Sequence, residues 1–240
     1  MGNSPTNYTD PLGLAQQAVT AGSGLSSAFT GNSSGCGGLG GMCHSVNSPT
    51  NYGVATTYAR LAKGVYEKDF RGADGYKLTA GPFATESGLN AALYTHENGA
   101  NVLAFAGTSP TSAANWGANL SQAFGFESEQ YNEAIDLAVS FNESTGGNIH
   151  FTGHSLGGGI ASAAAIVTGG NATVFNADGV HDNTLNGHSR SNGSVTHYSS
   201  SFDVLQVGNA LTPASVPGKQ ISLGAAGLHG MGGVCAAMSC

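Results

Sequence analysis

Charge is what this sequence has least of: seven Lys and Arg and fourteen Asp and Glu stand among 240 residues, for a formal net charge of −7. Binding nucleic acid takes a basic face that displaces counterions, and so few cations supply none, which argues against nucleic acid as a partner. Long apolar runs are missing too. No stretch approaches the roughly 18 residues that a membrane-spanning helix requires. The opening residues lack the basic start and apolar stretch of a secretory signal peptide. Cysteine is limited to four residues in two close pairs, Cys36 with Cys43 and Cys235 with Cys240. Neither pair has the tight ligand spacing of a zinc site, so no metal or other cofactor is expected. The pairs read either as two small disulfide loops of an oxidising compartment or as free thiols.

Glycine, by contrast, is abundant, at 38 residues, and much of it lies early in the chain. Residues 15–45 are chiefly Gly, Ser, Ala and Thr with scattered Leu, as in GSGLSSAFTGNSSGCGGLGGMCHS. Such a composition buries too little apolar surface to offset the entropy of ordering, so a flexible linker is expected there. Around it, NSPTNY occurs twice, at 3–8 and 47–52. Two origins stay open for the repeat, a trace of cassette recombination or a recurring turn sequence. The remainder, 46–240, is long enough for one sizeable core and one domain.

Within that domain, strand and helix patterns alternate. Val54, Tyr58, Leu61 and Ala62 fall on one helical face. Runs at 91–95 and 102–105 read as strands joined by HENGAN, whose Asn98-Gly99 pair is a strong hairpin signal. Two helices follow: one with Trp116, Leu120, Ala123 and Phe124 on one face, and one carrying Tyr131, Ala134, Ile135, Ala138 and Val139 and ending at Gly146-Gly147. A strand at 149–152 then meets a Gly-rich turn and a helix at 156–168 made almost wholly of Gly, Ala, Ile and Val, which must be buried. Short apolar runs at 172–175, 195–198, 204–207 and 220–223 complete the set. Alternation of this kind predicts an α/β sheet flanked by helices on both faces.

The string G-x-S-x-G marks a nucleophile elbow when a strand precedes it and a helix follows. With 38 glycines and 26 serines, chance alone yields roughly 0.6 matches, because the composition is far from average. Two occur. Ser33, in GNSSG, sits in the linker without strand or helix and reads as a solvated linker residue. Ser155, in GHSLG, stands between the strand at 149–152 and the small-residue helix, the context that nucleophilic chemistry needs.

A serine hydroxyl attacks only when a base takes its proton, and a histidine base needs a carboxylate to hold its tautomer. The expected chain order is Ser, acid, His. Asp203 lies where a strand gives way to a loop, and His229 is the only histidine after it. Asp178 is the rival acid; were it the partner, His181, His188 and His197 would become candidate bases as well. The oxyanion needs two donors. One is the N–H of Leu156, next after the nucleophile; the other is expected at Thr108, where the strand at 102–105 runs into Ala106-Gly107-Thr108.

Taken together, VLAFAGTSPTSAANWGANL, IHFTGHSLGGGIASAAA, VFNADGV and SSSFDVLQ resemble the class 3 (fungal-lipase-like) lipases of the α/β-hydrolase fold, over about 53–229. That resemblance implies Ser155, Asp203 and His229 as a catalytic triad, Thr108 and Leu156 as the oxyanion hole, and a lid around 115–126 that includes Trp116, Leu120 and Phe124. One departure is Ala106, where the family usually carries Arg. The opening NSPTNYTDPLGL resembles the end of an Rhs (YD-repeat) toxin shell, with Asp10, Pro11, Gly13 and Leu14 as the letters of its closing motif. By that resemblance residues 1–14 are a remnant of the shell, cleaved between Leu14 and Ala15, and residues 15–45 tether the enzyme.

The combined expectation is a secreted antibacterial lipase or phospholipase that attacks membrane phospholipid in the target-cell periplasm. An Rhs shell would hold it before release and a cognate immunity protein would protect the producer. Two alternatives stand beside this reading: a carboxylesterase of small soluble esters, and a non-catalytic extension of the shell in which Ser155 is only a turn residue.

Overall fold

Apolar side chains alternate along the central strands, and that alternation decides which face of the sheet each residue covers. The computed structural model of the chain describes residues 52–106, 128–185, 187–201, 216–227 and 229–240. Among the described residues seven strands form one sheet in sequential order: β1 (Tyr76–Ala84), β2 (Asn90–His96), β3 (Asn101–Ala106), β4 (Ile149–His154), β5 (Asn171–Phe175), β6 (Ser194–Ser199) and β7 (Lys219–Ser222). The first three pair antiparallel, and β3 to β7 run parallel. Asn98-Gly99 turns β2 into β3, with Gly99 at φ 84°, a conformation that glycine adopts without steric cost.

On one face Leu93, Leu103, Phe105, Phe151 and Val174 pack against helices α2 (Ser128–Ser144) and α3 (Leu156–Thr168). On the other, Ala92, Tyr94, Val102 and Ala104 meet α1 (Val54–Glu67). Phe175 and Tyr198 meet α1 and α4 (Met231–Met238) on that same side. Both faces of the central strands β3 to β5 are therefore buried, while β6 and β7 toward the edge are progressively more exposed and polar. This is a mixed sheet flanked by helices, as in the α/β-hydrolase fold.

α3 owes its small residues to distance. A Cβ on Gly157 would lie 2.3 Å from the Phe105 carbonyl oxygen, and one on Gly158 would lie 2.7 Å from the Ala177 Cβ. The helix can approach β3 and β5 this closely only without those atoms. It ends at Gly169, whose left-handed φ of 75° lets its N–H donate to the Ala165 carbonyl.

Three elements lie beyond the expectations from sequence, among them a one-turn 3-10 helix at Asp182–Leu185. β1 is an edge strand with no fully buried residue, two register shifts and Pro82 within it; apolar and polar residues alternate over 76–80, but Gly81-Pro82 then breaks the pattern with a turn signal. α4 spans only eight residues and carries Gly232 and Gly233, both poor helix formers. A Cβ at Gly233 would lie 1.8 Å from the Ala226 carbonyl oxygen, so close packing against the preceding loop accounts for that glycine. Cys235 and Cys240 form a disulfide at the end of α4. The other cysteine pair, the linker, the NSPTNY repeats apart from Tyr52, the helix carrying Trp116 and the strand at 204–207 lie outside the described residues.

Candidate active site

Ser155 occupies the single position between β4 and α3, with φ 57° and ψ −128°. A non-glycine residue there costs of order 1–3 kcal/mol, which the surrounding bonds must offset. Its N–H donates to the Phe175 carbonyl at 3.1 Å, and its own carbonyl accepts from Gly158, Gly159 and Asp178 N–H at 2.9, 3.1 and 3.1 Å. The motif's outer glycines are steric necessities, since a Cβ on Gly153 would stand 2.2 Å from the Gly157 carbonyl oxygen. So held, the serine is 3% exposed.

His229 reaches the same place from a point 74 residues later in the chain, and its Nε2 lies 2.8 Å from Ser155 Oγ. The His229 main-chain carbonyl accepts hydrogen bonds from His154 Nε2 at 2.7 Å and from Asn176 Nδ2 at 3.4 Å. Asn176 Oδ1 in turn accepts the Ser200 N–H at 2.8 Å, and Ser200 Oγ donates to the Gly227 carbonyl at 2.7 Å. The loop that carries the imidazole is thus fastened at two of its carbonyls, from the ends of β4, β5 and β6. The sequence alone points to neither His154 nor Asn176. Period-2 alternation puts His154 on the α1 face with His150 and Thr152, but nothing local shows that it meets a carbonyl 75 residues away.

Asp178, the rival acid, is 1% exposed. Its Oδ1 accepts the neighbouring Gly179 N–H at 2.9 Å, and Oδ2 has no hydrogen-bond partner among the described residues. Burial pushes its carboxyl up to about 6, against smaller opposing effects of the Gly179 bond and of His181 and His229 nearby. A carboxylate that orients a histidine has to be ionised and bonded to the ring. Asp178 shows no such bond. Of the histidines tied to that alternative, His197 serves the sheet: its Nε2 accepts the Ala177 N–H at 3.0 Å and its Nδ1 meets Gln220 Oε1. His181 is half-buried and His188 exposed.

Leu156 opens α3, where first-turn N–H groups have no partner within the helix and the helix dipole favours negative charge. Asp203, Thr108, Trp116, Leu120 and Phe124 lie outside the described residues, as do Asp10, Leu14 and Ala15. Among the described residues no cluster of three His, Cys, Asp or Glu side chains is arranged to hold a metal ion.

A serine on a strained strand-to-helix turn, beside a histidine brought in from a distant loop, is the apparatus of a serine ester hydrolase. Residues 57–236 match the Tle-like phospholipase domain, and the chain belongs to that family. It is 35% identical over 189 residues to the extracellular phospholipase A1 of Serratia liquefaciens. That match covers 69% of this chain, which spans 58% of the relative's length. Among solved structures it is similar to a triacylglycerol lipase from Penicillium expansum (TM-score 0.49, 11% identity, 70% of this chain and 77% of that one). It is also similar to a lipase from Yarrowia lipolytica (TM-score 0.47, 13% identity, the same two coverages of 70% and 77%).

Proposed function

We propose that the chain hydrolyses acyl esters of membrane phospholipid, in the manner of an A-type phospholipase, with Ser155 as nucleophile, His229 as base and Asp203 as the carboxylate that orients it. The contact between Ser155 Oγ and His229 Nε2 carries this reading, because it places acceptor and hydroxyl within proton-transfer reach at a strand-to-helix elbow. Ser155 Oγ gives its proton to His229 and attacks the ester carbonyl carbon, and the oxygen that becomes negative is received by the Leu156 N–H and by Thr108. As the carbonyl re-forms, the alcohol portion leaves with the proton from His229. The acyl group stays on Ser155 until a water molecule, deprotonated by the same imidazole, releases it as fatty acid.

Phospholipid as the substrate is supported by membership of the phospholipase family and by the similarity to an extracellular phospholipase A1. The biological role extends that reading: a secreted antibacterial toxin, carried in an Rhs shell, cut free after Leu14 and acting on the target-cell envelope, with an immunity protein protecting the producer. It rests on the resemblance of residues 3–14 to the closing motif of such shells. Directing the chain to the periplasm of a sensitive bacterium tests both layers. Killing accompanied by release of fatty acid from envelope phospholipid is expected; killing without lipid hydrolysis contradicts the substrate assignment, and hydrolysis without killing contradicts the toxin role.

A further inference from the structure

We propose that His154, the residue preceding the elbow serine, is a positioning residue: through its ring Nε2–H it holds the main-chain carbonyl of His229 and thereby sets where the His229 imidazole meets Ser155. The proposal rests on the reading of His229 as the base.

Three observations carry it. His154 Nε2 lies 2.7 Å from the His229 carbonyl oxygen, and the side chain is 2% exposed. A carbonyl oxygen only accepts, so the proton sits on Nε2; Nδ1 has no hydrogen-bond partner among the described residues and keeps its lone pair. The ring is also locked in orientation. Its centroid stands 5.5 Å from that of Tyr66 of α1, edge to face, and 4.9 Å from that of His229.

The charge state fits the task. Burial, with repulsion from His229 added, pulls the His154 ring down to about 3, so it stays neutral at any pH where an esterase works. His229 becomes an imidazolium as Ser155 attacks, and a second cation at this distance would raise the barrier. A neutral N–H donor steadies the loop without adding that charge. Of the two bonds described to the His229 carbonyl, the one from His154 is the shorter, 2.7 Å against 3.4 Å from Asn176.

The test compares His154→Gln, whose amide N–H can reach the carbonyl, with His154→Phe, which keeps the ring's bulk but donates nothing. Wild type and Ser155→Ala are assayed in parallel on a soluble ester. The Phe variant is expected to lose about 100-fold in kcat with KM within about twofold, the signature of a misplaced catalytic group. The Gln variant is expected to recover to within about tenfold of wild type. A Phe variant with wild-type kcat, or Gln and Phe variants equally impaired, overturns the proposal. Should the Phe variant fail to fold, ¹⁵N NMR of the wild-type chain decides: a His154 ring in the Nε2–H form with no titration from about pH 5 to 9 supports it, and an Nδ1–H form or a titration in that range overturns it. Wild-type turnover that survives Ser155→Ala overturns the serine-histidine reading as well, whereas Ser155-dependent turnover with a fully active Phe variant overturns the role of His154 alone.

Discussion

The main-chain N–H of Asp178 donates to the carbonyl of Ser155 at 3.1 Å, tying the turn after β5 to the nucleophile while the Asp178 carboxyl stays buried beneath it. Backbone, not side chain, makes the connection. It gives Asp178 a structural part in the elbow through its main chain.

One consequence is a pH-dependent stability. The Asp178 carboxyl is raised by burial from 3.8 to about 6, so the folded chain holds a proton that the unfolded chain has already released. The stability this contributes is complete below about pH 4 and is lost as pH rises through about 6. Asp178→Asn keeps an acceptor for the Gly179 N–H and cannot ionise. It should raise stability at pH 8 by up to about 3 kcal/mol and change it little at pH 4. Denaturant unfolding at the two pH values checks this, and equal stability of variant and parent at pH 8 contradicts it.

Turnover separates the two carboxylates. Asp203→Asn should cost on the order of 10⁴ in kcat with the fold intact, because the histidine is left in the wrong tautomer, whereas Asp178→Asn should stay within about tenfold of the parent. Steady-state assays on a soluble ester, with circular dichroism as the folding control, decide between them. The reverse pattern would assign the acid to Asp178.

Gly157 is a test of the elbow itself. A Cβ there would meet backbone, the Phe105 carbonyl oxygen at 2.3 Å and the Ala106 Cα at 2.9 Å, so neither neighbour can swing aside. Gly157→Ala should destabilise the fold by at least about 2 kcal/mol, as overpacking against main chain does, and displace Ser155 from His229. Gly99→Ala is the control, since nothing lies within 4 Å of its Cβ and only its φ of 84° is strained. Thermal unfolding of the two variants should show Gly157→Ala as clearly the less stable; the opposite ranking removes the close-packing account of α3.

The apolar stripe of Trp116, Leu120, Ala123 and Phe124 is proposed to cover the serine in water and to dock on acyl chains at a membrane. Covering a cleft and meeting lipid use one surface, so Trp116→Asp combined with Phe124→Asp should weaken vesicle hydrolysis far more than soluble-ester hydrolysis. Equal losses on both substrates would make the stripe ordinary core.

Much of this architecture is visible in the sequence wherever local rules and tertiary demands agree. The apolar run at 149–152 and the small-residue stretch at 156–168 announce β4 and α3, and Asn98-Gly99 announces the hairpin, because each pattern has one cheap conformation. β1 escapes notice because its alternating half, 76–80, passes at once into Gly81-Pro82, which reads as a turn. At the site, the serine shows itself by its strand-and-helix context. The contact of His229 with it follows only from elimination among histidines, and the grip of His154 and Asn176 on the His229 carbonyl joins residues 75 and 53 positions apart, which no local pattern encodes.

The most direct measurement is fatty-acid release from phospholipid vesicles by the parent chain, Ser155→Ala and Ser33→Ala. Both serines sit in the same five-letter motif; Ser155 lies between a strand and a helix with an imidazole nitrogen 2.8 Å from its hydroxyl, and Ser33 lies outside the described residues. Losing the nucleophile should cost about 10⁶ in turnover with the fold preserved, while Ser33→Ala should match the parent. Undiminished release by Ser155→Ala, or no release by the parent, would contradict the account.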